Sequence, residues 1–322
     1  MPAFTASAPG KIILFGEHAV VYGRPAIAVP VEQVRARAVV SADPRGEPGR
    51  VHIQAPAIAL DALLADLSPE HPLAAVVMAV LNRLGITHPP ACSLRITSTI
   101  PVAAGLGSGA AVSVAVIRAL SAFLGKPLTD EDVSKLAFEI EKLHHGTPSG
   151  IDNTVITYAR PVYFRRGQPI ETLQVAQPFH LVIGDTGIAS PTSIAVGDVR
   201  RLWQENPQRY EALFDAMGEI SRQARHAIEH GKLETLGPLM NANHDLLREI
   251  GVSSEELDRL VRAALDAGAL GAKLSGGGRG GNMIALAPAE LASGIAISLE
   301  EAGAVHTIIT RVEPSRNLHW SR

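Results

Sequence analysis

Short apolar runs separated by turn residues make up the first third of the chain. Residues 26–30 and 34–40 predict two β-strands, and in the second of them Arg35 and Arg37 point away from the apolar side. Residues 92–100 also alternate between apolar and polar side chains. These patterns predict a sheet with one buried face.

Helical spacing follows these strands. Residues 110–123 are apolar on nearly every side and predict a buried helix. Residues 129–132 are typical of a capped helix start, and apolar positions then recur at helical spacing as far as Ile140. The middle of the chain is therefore expected to be helical.

The last part of the chain mixes both periods. A strand is predicted at 180–184, and helical patterns follow at 199–230 and 233–250. Ser253 and Glu256 have the spacing of a capping box, which predicts the start of another helix.

That helix is expected to stop at Gly268, because glycine is the commonest residue just beyond a helix end. Strands are predicted at 282–286 and 305–312, on either side of a short helix. Helices interleaved with mostly non-parallel strands predict an α+β fold. We expect two domains, residues 1–170 and 171–322.

Composition narrows the possible functions. The chain has 322 residues, of which 46% are hydrophobic, and a net charge of −3 without a long basic run, so nucleic-acid binding is not expected. Its single cysteine, Cys92, excludes an internal disulfide and a multi-cysteine metal site. No apolar run approaches the length needed to span a bilayer, and no leader pattern is evident. A cytoplasmic protein that does not bind membranes is expected.

A glycine-rich segment stands between a predicted strand and the buried helix, at residues 101–111. Gly105, Gly107 and Gly109 allow positive φ and leave backbone N–H groups unshielded, and the helix that follows directs its free N–H groups to the same place. This arrangement favours an anion such as a nucleotide phosphate chain. It is not a Walker A loop, because no Gly-Lys-Ser/Thr closes it. A structural turn is the alternative.

Two further segments depart from ordinary packing. Five of the six residues at 276–281 are glycine, and we expect their backbone to lie against a ligand or against the first loop, rather than to form a flexible linker. Near the N-terminus, Lys11 lies in an apolar strand, and Glu17 and His18 follow a glycine. A solvated lysine at a strand edge is the alternative for Lys11.

Taken together, the three segments resemble the three motifs of the GHMP kinases in order and spacing over essentially the whole chain. Gly16-Glu-His-Ala-Val-Val-Tyr-Gly23 and His145-Gly-Thr-Pro-Ser-Gly-Ile-Asp-Asn153 resemble the branch of that family that phosphorylates mevalonate. The resemblance implies an N-terminal domain like the second domain of ribosomal protein S5 and a ferredoxin-like C-terminal domain. It also implies use of ATP and Mg²⁺, and a homodimer.

The resemblance assigns roles to particular residues. Asp152 corresponds to the catalytic aspartate and Lys11 to the lysine that pairs with it, while Ser108 and Glu141 match the Mg²⁺ ligands. Glu17, His18 and Thr192, together with Lys11 and Asp152, match the substrate region. The expected nucleotide-binding residues are Pro101, Ala104, Gly105, Leu106, Gly107, Ser108, Gly109, Ala110, Ala111, Gly277 and Gly278. From the residues alone, Glu141 could equally be a solvated helical carboxylate.

The motifs also depart from the family pattern. Ser108-Gly109 stands where paired serines are usual, Arg279 adds a charge to the third motif, and Asn282 replaces a frequent cysteine. Three alternatives within the family are phosphorylation of phosphomevalonate, of the 3-hydroxyl of mevalonate, or of a sugar. A non-catalytic relative that only binds a ligand is disfavoured, because Lys11, Ser108, Glu141 and Asp152 are all present.

Overall fold

The structure, a computed structural model, describes residues 3–101, 105–145, 148–169, 171–189 and 192–314. The chain divides into two compact units. Unit 1 comprises residues up to 11, 31–101 and 106–159, and unit 2 comprises 12–30, 102–105 and 160 onward. The division into domains at residue 170 stays a prediction.

Unit 1 contains a sheet and four helices. Its strands are β1 (Ala3–Phe15) and β2 (Ala26–Ala42), each of which continues into unit 2, and β3 (Val51–Ala55), β4 (Leu60–Leu63) and β5 (Cys92–Ser98). Its helices are α1 (Pro72–Leu84), α2 (Ser108–Phe123), α3 (Asp130–His145) and α4 (Ile151–Tyr158). The strand order is β4-β3-β5-β2, with β1 also paired to β2. Helix α2 packs against the other three helices and contacts β5.

Unit 2 is built around a four-stranded antiparallel sheet. The four strands of this sheet are β8 (Phe179–Asp185), β9 (Gly271–Ser275), β10 (Asn282–Ala287) and β11 (His306–Val312). Two shorter strands of unit 2, β6 (Val162–Phe164) and β7 (Glu171–Thr172), pair with each other, and β6 also pairs with residues 26–28 of β2. The helices of unit 2 are α5 (Thr192–Glu205), α6 (Pro207–Glu229), α7 (Leu233–Glu249), α8 (Glu255–Asp266) and α9 (Ala292–Glu301). The sheet has the order β11-β8-β10-β9, and buried apolar side chains of all five helices form a core with it. None of the described helices has the length and apolar character that a membrane crossing requires.

The predicted elements are mostly confirmed, with three corrections. The two predicted strands, 26–30 and 34–40, are one strand, β2. Residues 26–28 of this strand pair with β6 and residues 36–42 pair with β5, and the half-buried Pro30 lies between these two paired stretches without ending the strand. The pattern at 199–230 is two helices, since Asn206 caps a new helix that starts at Pro207. The cap of α8 is Ser254, not Ser253: the Ser254 hydroxyl accepts from the Leu257 amide.

Candidate active site

Lys11 and Asp152 form an ion pair in unit 1. Lys11 lies on β1 with a nearly buried side chain, and Asp152 lies in the first turn of α4 with its side chain 25% exposed. The Lys11 Nζ is 3.0 Å from Asp152 Oδ1. The Lys11 amide also donates to the Leu106 carbonyl at 3.0 Å, which fixes β1 against the first glycine segment. A partly buried carboxylate beside an ammonium held in place suits proton and phosphate chemistry.

The first glycine segment packs directly on this pair. Gly107 has φ +74° and is the N-cap of α2, and a Cβ at this position would lie 2.7 Å from Ile156 Cδ1 and 3.0 Å from Lys11 Cγ. A larger residue would need a left-handed backbone and a shift of Ile156, so the position favours glycine. In the described part of the chain no side chain caps α2, so the N–H groups that begin at Ser108 are open to an anion.

The other predicted nucleotide residues differ in what they offer. The side chains of Leu106, Ala110 and Ala111 are buried, so only their backbone could contact a ligand. Gly105 and Gly109 are exposed and Pro101 is half-buried. Ala104 lies outside the described residues, as do Gly146 and Thr147 of the catalytic segment.

Glu141 lies on α3 beside the ion pair. Its Oε2 atom is buried, and no described residue donates a hydrogen bond to it. Burial, and to a smaller extent the negative charge of Asp152, raises the pKa of Glu141 to about 8 against the opposing charge of Lys11. A bound cation would satisfy a buried carboxylate oxygen that receives no hydrogen bond.

The oxygen ligands near Glu141 suit Mg²⁺ better than a metal ion that is coordinated by protein side chains alone. No cluster of three or more His, Cys, Asp or Glu side chains that could hold a metal occurs among the described residues. Mg²⁺ usually takes one or two carboxylates, and waters and phosphate oxygens complete its octahedron. Glu141 and the Ser108 hydroxyl would be the protein ligands.

A second group of predicted residues lies in unit 2, where His18 follows β1. His18 has φ +59° and is buried, and its Nε2 lies 3.0 Å from the Gly277 carbonyl oxygen. Burial, helped by the charge of Arg279, lowers the pKa of His18 to about 4 against the opposing effect of the hydrogen bond to Gly277. The ring is therefore neutral near pH 7. Nε2 must carry the proton to donate to Gly277, and Nδ1 is then a buried acceptor to which no described residue donates.

The third glycine segment is the loop between β9 and β10. A Cβ on Gly277 would lie 3.1 Å from both Cα and Oγ1 of Thr192, the first residue of α5. Gly278 has φ +75°, and a Cβ there would lie 2.0 Å from the Val252 carbonyl oxygen. These glycines therefore have a packing role against protein, which the sequence did not reveal. The structure brings His18, Gly277 and Thr192 together.

Glu17, predicted in the substrate region, is buried in unit 2. Its Oε1 pairs with the buried Lys273 ammonium, and its Oε2 accepts from Asn243 Nδ2 at 3.3 Å. Sequence reasoning gave no role to Lys273 or Asn243. The available signal was a lysine inside an apolar run, directly before the third glycine segment.

Replacing Gly278 by alanine is expected to damage this loop far more than replacing Gly276. Both glycines have positive φ, but a Cβ on Gly276 meets nothing within 4 Å. Gly276→Ala should cost about 1 kcal/mol from left-handed backbone alone. Gly278→Ala should cost at least about 3 kcal/mol, because the loop or Val252 must move. Urea unfolding of the two variants measures the difference, and equal losses would contradict the packing role.

Comparison with known proteins agrees with this arrangement. Residues 72–160 match the family model of the GHMP kinases N terminal domain, and residues 224–305 match that of the GHMP kinases C terminal domain. The chain belongs to the GHMP kinases. It is thus an ATP-using kinase with the α+β fold of that family, and the predicted S5-like and ferredoxin-like domains are confirmed.

Within the family, the chain is similar to mevalonate kinases. The chain is 40% identical to the mevalonate kinase of Thermococcus sibiricus and 39% identical to that of Pyrococcus horikoshii, with 95% of each chain covered in both comparisons. A crystal structure of L. major mevalonate kinase in complex with R-mevalonate matches with 36% identity and a TM-score of 0.82, covering 97% of this chain and 96% of that one. The predicted membership of this branch is confirmed.

Proposed function

We propose that this chain transfers the γ-phosphate of ATP to the 5-hydroxyl of mevalonate, with Mg²⁺ bound at Glu141 and Ser108. The observation that carries the transfer chemistry is the Lys11–Asp152 ion pair at 3.0 Å, packed against Gly107. The choice of mevalonate as the acceptor is based on mevalonate kinases that the chain matches over nearly their full length. A homodimer and a cytoplasmic location stay predictions.

The residues of unit 1 have separate roles in the proposed phosphoryl transfer. The carboxylate of Asp152 orients the acceptor hydroxyl and takes its proton, either before or after the new P–O bond forms. The Lys11 ammonium attracts the oxygens of the transferring phosphate, and the N-terminus of α2 holds the phosphate chain through its N–H groups. Mg²⁺ would supply neutralisation of phosphate charge when bound.

The residues of unit 2 are proposed to bind the acceptor. Neutral His18 offers Nδ1 as an acceptor, and Thr192 offers an exposed hydroxyl at the start of α5. Neither group carries a charge near pH 7. They therefore suit the hydroxyl groups of a small alcohol.

Substrate-dependent ADP release from the purified protein tests the proposal. Racemic mevalonate should support turnover, and only the R enantiomer should be consumed. Phosphomevalonate and galactose, added to the same preparation, should give background rates. Turnover with either of these but not with mevalonate would overturn the choice of acceptor, while leaving kinase activity intact.

The Ser108→Ala variant should need more Mg²⁺. Losing one hydroxyl ligand is expected to raise the Mg²⁺ concentration for half-maximal activity by about three- to tenfold, since one hydrogen-bond-sized interaction is lost. The control is Ser108→Thr, which keeps the hydroxyl and should keep the wild-type requirement. An unchanged metal titration for Ser108→Ala would mean that Ser108 only shapes the loop.

A further inference from the structure

We propose that Lys273 and Glu17 form a buried positioning pair, which holds His18 with Nδ1 available to accept a hydrogen bond from a substrate hydroxyl. The inference rests on the proposed function for the identity of the substrate. It gives Lys273 a role, and it gives Glu17 a role in holding His18 rather than in touching substrate.

The pair is enclosed on every side. The side chains of Lys273 and Glu17 are both 0% exposed, and the Lys273 ammonium also donates to the Leu274 carbonyl at 2.6 Å. Both Glu17 carboxylate oxygens are occupied, one by Lys273 and the other by Asn243 of α7. Glu17 would have to break this network to reach a substrate.

Burying such an ion pair costs free energy, so we infer that its role is to position the backbone around it. Two buried charges lose their hydration, and an apolar pair of similar volume is often equally stable. What an apolar pair lacks is direction, because the Glu17 carboxylate must face Lys273 and Asn243. That requirement fixes the backbone of the residue next to it, which is His18.

His18 needs such support. Its φ of +59° is a left-handed conformation that a non-glycine residue adopts at a cost. Gly16, two residues before His18, is tightly confined, because a Cβ there would lie 2.4 Å from the Pro25 carbonyl oxygen. Glu17 is therefore held by its side chain, between a confined glycine and a strained histidine.

The same pair also helps to fix the Gly277 carbonyl, which is the hydrogen-bond partner of His18. Lys273 lies on β9, four residues before Gly277, whose carbonyl receives the His18 Nε2–H at 3.0 Å. Between them, the Ser275 hydroxyl donates to the Ile13 carbonyl at 2.7 Å, which joins β9 to β1 again. Lys273 and Glu17 thus set both ends of the hydrogen bond that fixes the tautomer of His18.

Steady-state kinetics of three variants test the role. Lys273→Met alone leaves Glu17 buried and unpaired, and it should fold poorly. The double variant Glu17→Gln with Lys273→Met removes both charges together, and its melting temperature should stay within about 3 °C of the wild type. Its KM for mevalonate should nevertheless rise by about tenfold, with kcat and the KM for ATP within about threefold of the wild type.

A destabilised control separates positioning from general loss of stability. Leu299→Ala empties a buried position of α9 that packs against Gly184, and it should lower the melting temperature without changing the KM for mevalonate. A double variant with wild-type KM would overturn the positioning role. So would a rise in KM for Leu299→Ala as large as that of the double variant.

The tautomer of His18 provides a readout that needs no substrate. In protein with ¹⁵N-labelled histidine, the ring signal that disappears in His18→Asn belongs to His18. The wild type should show a single Nε2–H form at pH 7, and the double variant should show exchange between both tautomers. A fixed Nε2–H form in the double variant would overturn the inference. If mevalonate is not phosphorylated by the wild type, the proposed function fails while this measurement still decides the positioning role.

Discussion

Asp152→Asn should reduce kcat by about 10³-fold or more and leave ATP binding within about threefold of the wild type. Asparagine matches the shape of aspartate but cannot take a proton from the acceptor hydroxyl. It also removes the charge that Lys11 Nζ contacts at 3.0 Å. The nucleotide is expected to bind through the start of α2 and its loop, which the substitution leaves in place. Turnover and nucleotide titration on the same preparation measure the two effects.

The control for this variant is Asp130→Asn, also in unit 1. Asp130 lies in the first turn of α3 and pairs with Arg118 at 2.6 Å, so the same change removes a similar ion pair from an exposed position. Its kcat should stay within about twofold of the wild type, because exposed pairs contribute little. Undiminished phosphorylation by Asp152→Asn would remove Asp152 from the catalytic role.

The periodic elements could be predicted because their cause is local. Alternation along β5 and helical spacing along α3 follow from which side chains are buried. The boundaries were less predictable. Ser253 and Ser254 offer the same hydroxyl, and which one caps α8 depends on Ser253 donating to Asp258 instead.

The glycine segments show a second limit of the sequence. A glycine can be required by positive φ or by a close neighbour, and the sequence shows neither which of the two applies nor what the neighbour is. At Gly107 the close neighbours are Lys11 and Ile156, and at Gly278 the neighbour is Val252. The role of Lys273 was hidden for a related reason, since its partner Glu17 is 256 positions away and only the fold brings them together.

Glu141→Gln should abolish most activity and, at the same time, stabilise the protein without ligands. A raised pKa in the folded state means that the folded protein holds the Glu141 proton more tightly than the unfolded chain. Stability is then greatest at acid pH and falls as pH rises from about 4.5, the ordinary value, towards about 8, the value in the fold. Glutamine has no proton to lose and escapes this penalty.

The stability gain of Glu141→Gln should therefore grow from near zero at pH 4.5 to more than about 2 kcal/mol at pH 8, and then stay constant. Activity at millimolar Mg²⁺ should fall by about 10²-fold or more, because the amide is a weak ligand for a hard cation. Glu139→Gln is the control, since Glu139 lies on the same helix, is exposed and pairs with Lys142. It should change neither quantity. A stability difference between wild type and Glu141→Gln that does not vary between pH 5 and 8 would mean that the Glu141 carboxylate is ionised without cost in the fold. The buried Oε2 atom would then need a donor other than a cation.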